Sequence, residues 1–169
     1  MLDSLFQLLF SAIWFILPAY VANAVPVVFG GGSPIDGNRK FVDGRPIFGQ
    51  GKTIRGFIIG LVAGSIVGLL QGVVLNQLYT YFLRGLLLTL GALLGDLLGS
   101  FIKRRLNISR GDMAPILDQL GFVVFALLLT GPLVLPGWDV VLAILVVTPP
   151  IHLAANFMSY KLGLKSRPY

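Results

Sequence analysis

Five long apolar stretches constrain the fold of this chain more than any motif does. A helix needs about 20 residues to cross the hydrocarbon core of a bilayer. Segments of that size run over residues 5–29, 54–75, 79–102, 116–135 and 138–160. Apolar residues make up 56% of the chain and charged residues 12%, about half the share with which a soluble domain faces water. That balance excludes a soluble monomer, and the hydrophobicity excludes a disordered chain. The expected fold is an all-α polytopic membrane protein, a single integral domain over residues 1–169 with five transmembrane helices. The first stretch reads as a retained span and not a cleavable signal: Asp3 stands where a basic region would, and no small-residue cleavage site follows a short core.

The basic residues orient these spans. The loop over 30–53 carries Arg39, Lys40, Arg45 and Lys52, with Arg55 just inside the next helix. The loop over 103–115 carries Lys103, Arg104, Arg105 and Arg110, and the C-terminal segment carries Lys161, Lys165 and Arg167. The alternate connections, 76–78 and 136–137, have no charge, and Arg84 is the one exception to the pattern. Lys and Arg collect on the cytoplasmic side of membrane proteins. The N-terminus is therefore expected outside and the C-terminus in the cytoplasm of a multi-pass cell-membrane protein. Gly56, Gly60, Gly64, Gly68 and Gly72 recur every four residues along the second span, and Gly91, Gly95 and Gly99 along the third. Small residues at this spacing let helix backbones approach closely in lipid. Such ridges suit a homodimer as well as a monomer.

Cysteine and glutamate are absent, so acid–base or metal chemistry falls to seven aspartates and one histidine. An ionisable residue within a span is costly and usually functional. Asp96 sits about two turns before the basic cluster at Lys103, with Ser100 one turn on along the same face. Asp118 lies at the start of the fourth span, which runs antiparallel to the third, so the two carboxylates can meet at similar depth. Two such groups repel unless a cation lies between them. Oxygen ligands suit Mg²⁺, which binds one or two carboxylates plus substrate phosphates; a second cation is left open. The plainer alternatives are that Asp96 pairs with Arg84 or with a basic-loop residue for packing, and that Asp118 caps its helix.

In the first loop, Gly51-Lys52-Thr53 before a helix invites a phosphate-loop reading. It fails, because Pro46 stands where the first glycine is required and no strand precedes it. Free N–H groups at a helix N-terminus beside Lys52 and Arg55 still favour an anion. The alternative is a loop that binds only acidic lipid headgroups. His152 and Asn156 share a helix face, and Asn23 is near the same boundary; each alone suits a plain interhelical hydrogen bond. Together with Asp96, Asp118 and the basic loops they mark one end of the bundle as a candidate site. The roles of Asp36, Asp43 and Asp112 stay open between ligand, loop brace and solvated charge.

Nearly the whole chain resembles the archaeal CDP-archaeol synthases. The resemblance is carried by Gly30-Gly31-Gly32-Ser33-Pro34-Ile35-Asp36-Gly37, Asp43-Gly44-Arg45, the segment from Phe48 to Gly56, Gly95-Asp96, Ser100 to Arg105, Asp118-Gln119-Leu120, and Lys161 to Lys165. The stretch from Ser100 to Asp118 is also similar to a shortened signature of bacterial CDP-diacylglycerol synthases, which ends Asp-Arg-x-Asp. Here those positions read Asp118-Gln119-Leu120-Gly121, without the arginine or the second acid. The resemblance implies transfer of CMP from CTP to an ether-lipid phosphate, unsaturated archaetidic acid, giving CDP-archaeol and pyrophosphate. It also implies Mg²⁺ at Asp96 and Asp118.

Under that reading Asp96, Asp118, Lys52 and Arg55 form the catalytic set. Asn23, Gly49, Thr53, Lys103, Arg104, His152 and Asn156 join Lys52 and Arg55 in holding the nucleotide, with Asn23 or the glycine-rich loop reading cytosine. Membrane lipids are expected partners and nucleic acid is not. The alternative from another class is a small anion or proton transporter. It requires polar groups through the full bilayer depth, whereas the extracellular halves of these spans are almost purely apolar.

Overall fold

In the computed structural model, which describes residues 2–109 and 111–168, five helices account for most of the chain. They are α1 (Leu2–Phe29), α2 (Ile54–Val74), α3 (Leu78–Arg105), α4 (Pro115–Thr130) and α5 (Trp138–Lys161). No strand occurs among the described residues; the first loop contains only the isolated bridges Pro34–Thr53 and Lys40–Pro46. Arg110, one of the third loop's basic residues, lies outside the described residues.

Four of the helices are long and apolar enough to cross a membrane, and α4 is shorter. Its 16 residues rise about 24 Å at 1.5 Å per residue, less than the hydrocarbon thickness of about 30 Å. The expected fourth span over 116–135 is corrected here. The helix stops at Thr130 because Pro132 has no N–H to continue the ladder, and a turn followed by irregular chain covers 131–137. The fourth connection is therefore longer than Pro136-Gly137.

Packing in this bundle combines an apolar core with a helix, α2, that turns glycine inward. The core cluster draws Phe15 and Ile16 from α1, Leu88 from α3, Phe122 and Val123 from α4, and Ile144 from α5. From α2 it draws none, because the buried positions of that helix are Gly56, Gly60, Gly64, Gly68, Gln71 and Gly72. A Cβ on Gly60 would lie 2.7 Å from the Ala22 carbonyl oxygen of α1, and one on Gly68 2.7 Å from the Gly85 Cα of α3. The ridge on α3 works the same way against α4, where a Cβ on Gly91 would lie 2.6 Å from the Phe125 carbonyl oxygen. With its glycines turned inward, α2 presents Ile58, Val62, Ile66, Leu70 and Val73 outward, as a lipid-facing helix does. Helix α3 packs on α1, α2 and α4, while α5 packs on α1 and α4.

Arg84, the exception to the charge pattern, is buried within this bundle and not paired with Asp96. Its Nη2 donates to Gln71 Oε1 at 2.9 Å, and Gln71 Nε2 donates to the Trp14 carbonyl at 2.6 Å. The guanidinium carbon stands 4.1 Å from the Tyr81 ring centroid and 5.0 Å from that of Phe15. Ring faces therefore supply the negative potential that a carboxylate otherwise would, and one residue ties α1, α2 and α3 together.

Candidate active site

The first loop owes its shape to Asp36. Its carboxylate accepts from the backbone N–H of Asn38 at 3.0 Å, Phe48 at 2.9 Å and Gly49 at 2.8 Å. Two strongly directional contacts twelve and thirteen residues away fold the loop back on itself. The loop is then fastened to the end of α3. Arg45 Nη1 donates to the carbonyls of Arg104 and Arg105, which carry the negative end of the helix dipole. Arg105 pairs with Asp43 at 3.2 Å, and its guanidinium carbon stands 4.9 and 4.8 Å from the ring centroids of Phe41 and Phe101, which themselves meet edge to face. Asp36 and Asp43 are thus loop braces. Burial would raise the Asp36 pKa, but the three N–H donors prevail and hold it below the ordinary carboxylate range. Its contribution to stability is therefore complete at neutral pH, and is lost as pH falls through that lowered pKa. We predict that Asp36→Ala leaves the Phe48 and Gly49 N–H groups without an acceptor and frees the loop to proteolysis, since a lost charge-assisted bond is worth roughly 1.5–3 kcal/mol. An unchanged digestion pattern would exclude this role.

Beneath the braced loop lies a cavity of about 810 Å³. Asn23 of α1, Gly49, Lys52 and Thr53 of the loop, Asp96, Lys103 and Arg104 of α3, Asp118 of α4, and His152 and Asn156 of α5 all line it. Arg55 does not: it points outward on the first turn of α2 and is exposed. The expected place of Arg55 beside Lys52 is corrected accordingly. Lys52 precedes the helix and follows the loop inward, whereas Arg55 follows the helical screw away from it. Thr53 serves as the N-cap of α2, its Oγ1 accepting the Gly56 N–H at 3.1 Å.

Each aspartate carries a lysine. Lys52 Nζ donates to Asp96 Oδ2 at 2.5 Å, so Asp96 pairs with a basic-loop residue. Lys103 Nζ lies 2.8 and 3.0 Å from the two Asp118 oxygens and 2.6 Å from the Asp112 carbonyl oxygen. Asp118 Oδ2 also accepts the Ala114 N–H at 2.8 Å, so it braces the start of α4 and lines the cavity at once. Both side chains keep about a third of their surface accessible, 35% for Asp96 and 30% for Asp118. Among the described residues no three His, Asp or Glu side chains cluster as a metal site. Two hard-oxygen carboxylates on one cavity nevertheless fit Mg²⁺, which completes its shell with water and substrate phosphate.

On α5, Asn156 Nδ2 lies 3.3 Å from His152 Nδ1, and its Oδ1 accepts from Lys165 Nζ at 2.6 Å. The Phe122 and His152 rings are 5.9 Å apart. Tyr20 and Thr148 also line the cavity, joined at 2.8 Å. Lys165 and Tyr20 were not legible as cavity residues from spacing. Beyond its place in the basic C-terminal segment, the local signal for Lys165 was Gly163, just past the last helical turn, where a chain reversal is common.

The CDP-archaeol synthase family, described as CarS-like, matches residues 5–169. The chain belongs to that family. A CDP-archaeol synthase of Methanococcus aeolicus is 48% identical over 173 residues, covering 96% of this chain and 97% of the relative. One from Thermococcus gammatolerans is 50% identical over 165 residues, covering 95% and 96%. A solved structure described as an intramembrane enzyme for archaeal membrane lipids biosynthesis superposes with a TM-score of 0.81 at 42% identity, covering 88% of this chain and 94% of that one. Transport, the alternative reading, finds no support among these CDP-archaeol synthase matches.

Proposed function

We propose that this CDP-archaeol synthase family member transfers CMP from CTP to unsaturated archaetidic acid, giving CDP-archaeol and pyrophosphate. The reading rests on one observation: Asp96, Asp118, Lys52 and Lys103 meet in a single cavity at the basic end of an apolar bundle. In the reaction an oxygen of the lipid phosphate attacks the α-phosphorus of CTP, and the bond from that phosphorus to the bridging oxygen breaks to release pyrophosphate. The nucleophile is already an anion near neutral pH, so the absence of glutamate and the single histidine are no handicap. The barrier comes from bringing two anions together, and catalysis is chiefly positioning and charge stabilisation.

Lys52 and Lys103 are placed to neutralise phosphate charge, with Arg104 beside them; the exposed Arg55 drops out of the set. Asp96 and Asp118 would hold Mg²⁺, which supplies Lewis-acid stabilisation of phosphate charge. Asn23, a neutral donor and acceptor on the wall, suits the cytosine edge. Ala24, Ile151 and Ala155 give the cavity an apolar stretch from α1 and α5 that suits alkyl chains. The basic loops favour the cytoplasmic side for this end of the bundle, which would leave the N-terminus outside. The test is direct. Purified protein in detergent should release pyrophosphate only when CTP, Mg²⁺ and the lipid phosphate are all present. CTP hydrolysis that is indifferent to the lipid phosphate would overturn the reading.

A further inference from the structure

Three lysines line the cavity, and they are not equivalent. Lys52 is held by Asp96 and Lys103 by Asp118. Lys165 has no carboxylate partner among the described residues; its Nζ contacts only the neutral Asn156 Oδ1, at 2.6 Å. It also comes from beyond the last helix, and the sequence accounts for how it arrives. At the end of α5 the Leu164 N–H donates to the Ser159 carbonyl at 2.9 Å and the Gly163 N–H to the Tyr160 carbonyl at 3.0 Å. This is the paired closure of a Schellman turn, which requires a left-handed residue at its pivot. Gly163 supplies it with φ +72°. The reversal carries Leu164 and Lys165 back onto the cavity wall, and the pair of Arg167 with Asp112 fastens the segment to the third loop.

We propose that Lys165 is a phosphate-binding residue of this cavity, delivered from the C-terminal segment by the Gly163 turn. A half-buried ammonium whose hydrogen-bond partner is an amide lacks the direct ion pair that Lys52 and Lys103 have. Burial, and next the charge on Lys52, hold its pKa below the ordinary lysine range, so an incoming anion gains more from it than from a lysine already paired. Arg104 Nε, also buried and without a hydrogen-bond partner, adds to the same surplus. The ligand chemistry is a phosphate group, either of the nucleotide or of the lipid. The proposal rests on the cytidylyltransferase reading only for the choice between those two.

The experiment uses the full-length protein in detergent, with Lys165→Met, Lys165→Arg and Gly163→Val beside it. Binding of inorganic tripolyphosphate and, separately, of a detergent-dispersed dialkylglycerol phosphate is measured by calorimetry, and KM and kcat are measured for CTP and lipid phosphate. Lys165→Met should weaken one of the two phosphate ligands about tenfold, the scale of one charge-assisted hydrogen bond, and raise the KM of the matching substrate more than it lowers kcat. Lys165→Arg should recover most of the loss. Gly163→Val should reproduce it by misdirecting the segment while Lys165 itself remains. A loss for tripolyphosphate assigns Lys165 to the nucleotide, and a loss for the dialkyl phosphate assigns it to the lipid. If Lys165→Met binds both ligands as the parent does, the proposal is wrong. If the parent binds phosphate but turns over no CTP, the functional reading fails, and the binding comparison still decides the role of Lys165.

Discussion

Asp96→Asn is expected to lower kcat for pyrophosphate release by about 10²–10³, the loss seen when one preorganised electrostatic group is removed from a reacting centre. The fold should survive. Asparagine keeps the shape and still offers Lys52 an oxygen, and Asp96 is partly accessible, so no buried cation is stranded. What it removes is negative charge on the cavity wall, and with it one of the two carboxylates proposed to hold Mg²⁺. Raising Mg²⁺ should recover part of the activity if the loss is in metal affinity. Turnover close to the parent's at ordinary Mg²⁺ would remove Asp96 from the centre of the reaction and leave its pair with Lys52 as a packing contact. Asp118→Asn is a less clean probe, because that carboxylate also holds the Ala114 N–H at the start of α4.

The second large effect is on stability. Gly68→Leu should prevent α2 from seating on α3. A Cβ there would lie 2.7 Å from Gly85 Cα and 2.9 Å from the Tyr81 carbonyl oxygen. These are backbone atoms and cannot rotate away, so the helices must separate along the ridge. The expected cost is about 3 kcal/mol or more, the upper part of the range for overpacked sites, read as a lower thermal midpoint and a smaller monodisperse yield in detergent. Gly121→Ala is the control. A Cβ at Gly121 meets nothing within 4 Å, so its effect should stay within about 0.5 kcal/mol. Equal stability of Gly68→Leu and the parent would show that the glycine ridge is not what brings these helices together.

Much of the bundle was legible in the chain because its signals are local. Four of the five helices lie within a few residues of the expected spans, and Thr53 and Gly163 mark helix ends with residues suited to those positions. The glycine period foretold which face of α2 is buried, since in lipid close approach of backbones replaces burial of large side chains as the packing force. Local signals failed at α4, where apolar composition continues past Thr130 but Pro132 ends the helix. They also failed at Arg55, which shares the basic segment with Lys52 yet faces away.

The sequence by itself determined that this chain is a multi-helix membrane protein, which helix faces pack, and that Asp96, Asp118 and the basic loops gather at one end. Hydrophobic length, residue period and charge placement are properties of a segment and need no knowledge of its neighbours. Only the tertiary structure decided that Lys52 goes to Asp96 and Lys103 to Asp118, that Asp36 and Asp43 brace a loop, and that Lys165 returns to the cavity from the far end of the chain. The pair of Lys52 with Asp96 alone joins residues forty-four positions apart. An ion pair depends on where two backbones bring their side chains in space, which no local period encodes.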